Sequence, residues 1–174
     1  MYGDCSDERF LRFEPGGDNA VELLYTWDME GKLTGTVVNV PCPSQVFELH
    51  RFLSADYWGF VRKDLKQPLG EVFVLPFCGA AGDLSPIDLV QISKHNREEL
   101  RLWGGQAQEV QRNFDMDAIC AGISARITEA VLRGYRGAKT RIDYAPALMH
   151  ERLELELPLR LVSQETYEAS AGDV

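Results

Sequence analysis

Apolar and polar residues are distributed along this chain in a pattern that marks out most of its elements. Val21 to Asp28 is rich in apolar and aromatic residues and reads as a strand, as does Leu33 to Val40. Met29-Glu30-Gly31-Lys32 lies between them as a tight turn, so the two runs predict a β-hairpin. Pro41 and Pro43 end the second strand, because neither can donate to a ladder. Ser54 or Asp56 is placed to cap a helix over Tyr57 to Lys66, with Tyr57, Val61 and Leu65 on one face and Gly70 as the stop. Glu71 to Leu75, containing the apolar run from Val72, is the next strand. Strand, helix and strand in that order predict a βαβ crossover and a partly parallel sheet.

The second half is less regular. Pro86 to Gly105 is polar, with a short helix predicted over Lys94 to Trp103. Asp115 or Asp117 caps the strongest helix of the chain, whose stripe is Ile119, Ile123, Ile127, Ala130 and Val131, and Gly134 is the expected stop. Tyr144 to Leu157 reads as extended. Leu153, Leu155, Leu157, Leu159 and Leu161 alternate with charged or polar residues, apart from Pro158, which predicts a strand with one wet face. Ser163 is the N-cap of a last short helix, and the chain stops soon after it begins, as a fragment of a longer protein or a docked terminal turn would. The expected fold is α/β: a mixed sheet with hairpin and βαβ elements, packed by helices. Residues 1–174 form one domain in this reading, itself part of a longer one.

Composition narrows the function classes. A length of 174 residues suits one domain with a real core, and 45% hydrophobic with 26% charged residues is the balance of a soluble globular protein. The net charge of −9, with Lys and Arg scattered, argues against a nucleic-acid surface. No apolar run approaches the length of a membrane span. The first residues, Met1 to Glu8, lack the basic start and apolar core of a secretory signal. Cys5, Cys42, Cys78 and Cys120 show no CxxC spacing and read as reduced thiols in a cytoplasmic protein.

Candidate chemistry concentrates after the Val72–Leu75 run. There the chain enters a loop of small residues, Gly79-Ala80-Ala81-Gly82, that presents Asp83 and Ser85 before Pro86. A polar pair on such a loop is how many α/β enzymes display a reactive group. The same residues also suit a structural turn with Asp83 capping backbone amides. His50 lies near Glu48 in a polar loop, as a solvated residue or at the mouth of a site, while His95 and His150 read as surface residues.

Three blocks occur in an order that resembles a known family. They are Gly31-Lys32-Leu33-Thr34-Gly35-Thr36-Val37-Val38-Asn39-Val40-Pro41-Cys42-Pro43-Ser44, then Leu53-Ser54-Ala55-Asp56-Tyr57-Trp58-Gly59, then Gly79-Ala80-Ala81-Gly82-Asp83-Leu84-Ser85-Pro86. Together they are similar to the N-terminal catalytic domain of the neutral/alkaline, non-lysosomal ceramidases and their bacterial relatives, over roughly Val21 to Leu132. The resemblance implies hydrolysis of an amide bond in a small-molecule or lipid-like substrate. It makes Ser85 the candidate nucleophile, Asp83 a positioning group, and Asn39, Gly79 and Gly82 substrate-binding residues. A zinc ion is also implied.

The chain departs from the family's pattern at that metal. Where the family has a zinc-binding His after the strand, this chain has Pro41-Cys42-Pro43-Ser44, with Cys42 nearest the His position. A cysteine there binds zinc as a thiolate or packs as a small buried apolar residue. The family's earlier His-Thr-His-Ser-Gly-Pro element is absent, and its later Glu and Tyr ligands are expected beyond Val174. The alternative expectation is therefore a non-catalytic binding or scaffold module that has kept the fold and lost the metal site.

Overall fold

Period-two patterning makes the hairpin. Strand β1 (Glu22–Trp27) and strand β2 (Leu33–Val40) pair antiparallel, with Leu23 opposite Val38 and Tyr25 opposite Thr36. Asp28 closes the turn: its Oδ1 accepts the amides of Glu30 and Lys32 at 3.0 and 2.8 Å. The structure, a computed structural model, describes residues 17–48, 50–82, 84–87, 115–159 and 161–171. The expected helix over Lys94 to Trp103 lies outside the described residues. So does Asp83.

After β2 the chain crosses by helix α1 (Tyr57–Leu69) to strand β3 (Phe73–Cys78), which pairs parallel with β2. The sheet order is β1-β2-β3, a mixed three-stranded sheet with helices against it, as the βαβ pattern predicts. Two boundaries differ from the sequence reading. Helix α1 runs on through Pro68 to Leu69, and Gly70 ends it at a φ of 77°, its amide donating to the Lys66 carbonyl. Strand β3 begins later and continues through Pro76. Among the described residues β3 is an edge strand, and an edge presents every second backbone nitrogen to its unpaired side, where a proline does no harm.

One face of the sheet carries the core. Val38, Val40 and Val74 meet Tyr57, Val61 and Leu65 of α1 and a stripe from helix α2 (Met116–Ala138). That stripe is Met116, Cys120, Ile123, Ile127 and Val131, rotated slightly from the expected one, so Ile119 is only partly buried. Asp115 is the N-cap, accepting the Ala118 amide at 2.9 Å. Gly134 does not stop α2. It sits where the helix crosses β1, and a Cβ there would lie 2.7 Å from a Leu23 methyl and 2.8 Å from the Tyr25 hydroxyl. That hydroxyl donates to the Val131 carbonyl at 2.5 Å and ties strand to helix.

The chain divides into two units, Met1–Ile142 and Asp143–Val174. In the second, the expected strand over Tyr144 to Leu157 is absent. These residues have no regular structure, and Leu153, Leu155 and Leu157 are 78%, 68% and 80% exposed. Alternation marks a strand only where a neighbour supplies the ladder and a core takes the leucines. The last helix, α3 (Gln164–Ala171), forms as expected, with Ser163 Oγ accepting the Thr166 amide at 3.1 Å. No helix among the described residues is long and apolar enough to cross a membrane.

Candidate functional site

In α/β sheets, ligands gather outside the carboxyl ends of parallel strands, because the loops there converge. Here those ends are Val40 and Cys78, which are register partners. The loop after β2 and the loop after β3 share one acceptor: the Val40 carbonyl takes the amides of Cys42 at 2.8 Å and Gly79 at 3.0 Å. Gly79 sits close against the end of β2, with room for a Cβ at ordinary contact distance. A Cβ would meet the Pro41 Cα at 3.4 Å and the Asn39 amide group at 3.5 Å. Val46 and Ile87 are buried and anchor the two loops.

The start of α1 is bound into the same place. Asp56 is buried, and its carboxylate spans two amides, those of Tyr57 (Oδ1, 2.9 Å) and Phe47 (Oδ2, 2.9 Å). Its own amide donates to Ser54 Oγ at 2.9 Å. Asp56 holds a φ of 54°, the left-handed region that a non-glycine residue seldom adopts. The Tyr57 hydroxyl donates to the Cys42 carbonyl at 2.6 Å, and burial, then the neighbouring thiols of Cys42 and Cys78, hold its pKa above the usual tyrosine range. The Leu53-Ser54-Ala55-Asp56-Tyr57 block therefore clamps the β2 loop to the helix. The sequence reading placed Asp56 as a cap and Tyr57 on the core face. It missed that both also hold the loop, and the signal was a tyrosine where a phenylalanine would fill the core equally well.

Each expected site residue has a definite place, apart from Asp83. Ser85 is half-buried on the loop after β3, and its Oγ accepts the Ile87 amide at 3.3 Å. The Leu84 amide donates to the Ala81 carbonyl at 3.1 Å. Gly82 is exposed with open space around it, leaving room for close approach from solvent. Asn39 points to the sheet face away from the core, where its Nδ2 donates to Glu22 Oε2 at 2.6 Å. The Asn39 amide thus touches both β1 and the position of Gly79. No hydrogen bond among the described residues links Ser85 to an acid or a base.

Cys42 and Cys78 end the two strands with different surroundings. Cys78 is exposed, whereas Cys42 is half-buried with its thiol 3.7 Å from the Pro43 carbonyl. Burial pushes the Cys42 thiol up, partly offset by a hydrogen bond with Tyr57. A thiol held protonated is a poor zinc ligand until a metal displaces its proton. Among the described residues no three His, Cys, Asp or Glu side chains come together as a ligand set. The described residues around Cys42 therefore do not by themselves complete a zinc site.

His50 is half-buried rather than solvated. Its ring packs against Phe47 at 5.6 Å and Phe52 at 5.5 Å, and its Nδ1 has no hydrogen-bond partner. It lines an open hollow with Ser54, Phe60, Asp115 and Asp117. His150 is exposed, as expected. What the strand ends offer chemically is a hydroxyl (Ser85), an exposed thiol (Cys78), and a rigid pair of loops braced by Asp56 and Tyr57. Comparison of the chain with protein-family models, with curated proteins and with solved structures finds no match.

Proposed function

We propose that this chain carries the nucleophile-bearing part of an amide-bond hydrolase, with Ser85 as the nucleophile. The observation that supports it is the position of the Gly79–Ile87 loop at the carboxyl end of β3, beside the carboxyl end of parallel β2. In the proposed step the Ser85 hydroxyl oxygen attacks the amide carbonyl carbon. The C–N bond breaks, the hydroxyl proton passes to the departing amine, and an acyl ester is left on Ser85. Water then releases the acid and restores the hydroxyl. Asp83, two residues earlier on the same loop, is proposed to orient that hydroxyl, because a serine is a weak nucleophile until a neighbouring group activates it. Gly79, Gly82 and Asn39 line the approach. A small-molecule or lipid-like amide is the substrate class, and a zinc ion using Cys42 is the proposed aid whose other ligands the described residues do not include.

A second reading, a non-catalytic binding module, draws on the Ser85 side chain itself, which already serves a turn by accepting the Ile87 amide. A panel of N-acyl amides of increasing chain length, assayed with the full chain for amine release and for binding, separates the two. The hydrolase reading expects turnover that falls at least about a thousandfold in Ser85→Ala with binding kept. Binding without turnover, unchanged by Ser85→Ala, would establish the second reading instead. Metal analysis of the purified chain belongs beside it: zinc that is lost in Cys42→Ala supports the metal, and a metal-free active chain removes it.

A further inference from the structure

Among the described residues strand β3 presents an open edge, and the side chains on its two faces differ. On the face away from the core stand Phe73, Leu75 and Phe77, with Phe73 69% and Phe77 53% exposed. On the core side a groove runs between β3 and α1, lined by Arg62, Lys63 and Lys66 above Val74 and Pro76. Lys66 pairs with Glu71 at 2.5 Å, while Arg62 and Lys63 are exposed and enter no ion pair among the described residues. An added strand would thus meet apolar neighbours on one face and cations on the other.

The segment Arg152–Leu157 has that pattern. Its odd positions are Leu153, Leu155 and Leu157, and its even positions are Arg152, Glu154 and Glu156, with a net charge of −1 on the even row. In a strand these two rows point to opposite faces. Leucines beside Phe73, Leu75 and Phe77 would form cross-strand apolar pairs, and the glutamates would face Arg62 and Lys63. Its six residues equal the six of β3. Pro158 ends the match, since it cannot donate to a ladder. The bond between Arg152 and Glu154 at 2.6 Å is largely exposed on both sides and offers little resistance.

We propose that Arg152–Leu157 of one copy adds as a fourth strand to the β3 edge of a second copy, making a reciprocal dimer of this chain. The occupant is a second copy because charge and period on the segment complement the edge on both faces, and a twofold exchange closes two open edges at once. The contact is distinct from the proposed hydrolase site, since it uses the edge of β3 and neither Ser85 nor the loop after β3 takes part.

Sedimentation velocity of the full chain across a concentration series tests it. The expected species has twice the 19.6 kDa chain mass. Glu154→Lys with Glu156→Lys should weaken the dimer at least about tenfold, which is about 1.4 kcal/mol. Arg62→Glu with Lys63→Glu should weaken it similarly, and combining the two pairs should restore it. All four positions are exposed, so the fold is kept in each variant. A chain that stays monomeric up to roughly 100 μM, a segment that docks on β3 of its own chain, or a dimer indifferent to the charge reversals would each overturn the proposal.

Discussion

Asp56 concentrates more structural duty than any other single side chain near the strand ends. It caps α1, fastens the Phe47 amide and accepts a strained φ of 54° to do both. Losing the carboxylate removes a cap and leaves a second amide unpaired. Asp56→Ala should therefore cost roughly 2–3 kcal/mol in urea unfolding, and Asp56→Gly less, because glycine adopts that φ freely. Equal losses in the two variants would show that the backbone conformation contributes nothing. Gly134 makes the complementary case for space. Its missing Cβ admits Leu23 and the Tyr25 hydroxyl, which is pinned by its bond to Val131. Gly134→Ala should destabilise by about 1–2 kcal/mol despite the better helix former. In a Tyr25→Phe background the cost should shrink, and full additivity of the two changes would contradict the steric account. Sequence patterning took this glycine for a helix stop because glycine after an apolar stripe usually is one. The close crossing of β1 is a tertiary fact that no local pattern carries.

At the level of elements, periodicity was a good guide wherever one face of an element meets the core. The hairpin, the β2-α1-β3 crossover and the long helix were all legible for that reason. Leu65, fully buried at the α1 contact, should lose about 2–5 kcal/mol on truncation to Ala. Leu24, exposed on the opposite sheet face, should lose almost nothing, and a comparable loss at Leu24 would mean that face is covered in solution. The leucine alternation after Tyr144 had the same signature as a half-buried strand but no partner within its own unit. Pattern reports what an element could bury, and only the fold supplies what buries it. The candidate site was legible in part on the same terms. The loop after β3 and Ser85 came from residue types and order, whereas the shared Val40 carbonyl and the Tyr57 bond to Cys42 depend on strand register and helix placement.

For the whole molecule, burial of neutral acids sets the alkaline limit of stability. Burial pushes Tyr25 up to about 12 and Cys120 up to about 12, and raises Cys42 and Tyr57 as well. Each folded value lies above the unfolded one, so the folded state holds these protons more tightly. Their contribution is complete below the unfolded values and is lost as pH rises through the folded ones. Unfolding free energy should begin to fall above about pH 9, where free thiols start to ionise, and continue falling towards pH 12. The fall should be shallower in Cys120→Ala, and a flat profile over that range would show that burial does not hold these protons.

The central claim is that the loop at the end of β3 presents a nucleophile and that Ser85 is it. An activated N-acyl or acyl-ester substrate, quenched during turnover and followed by peptide mass spectrometry of the full chain, addresses it most directly. The account predicts acyl mass on the peptide containing Ser85, lost in Ser85→Ala together with amine release. Turnover with no acyl mass on that peptide, or with the acyl group on the exposed thiol of Cys78 instead, would contradict it.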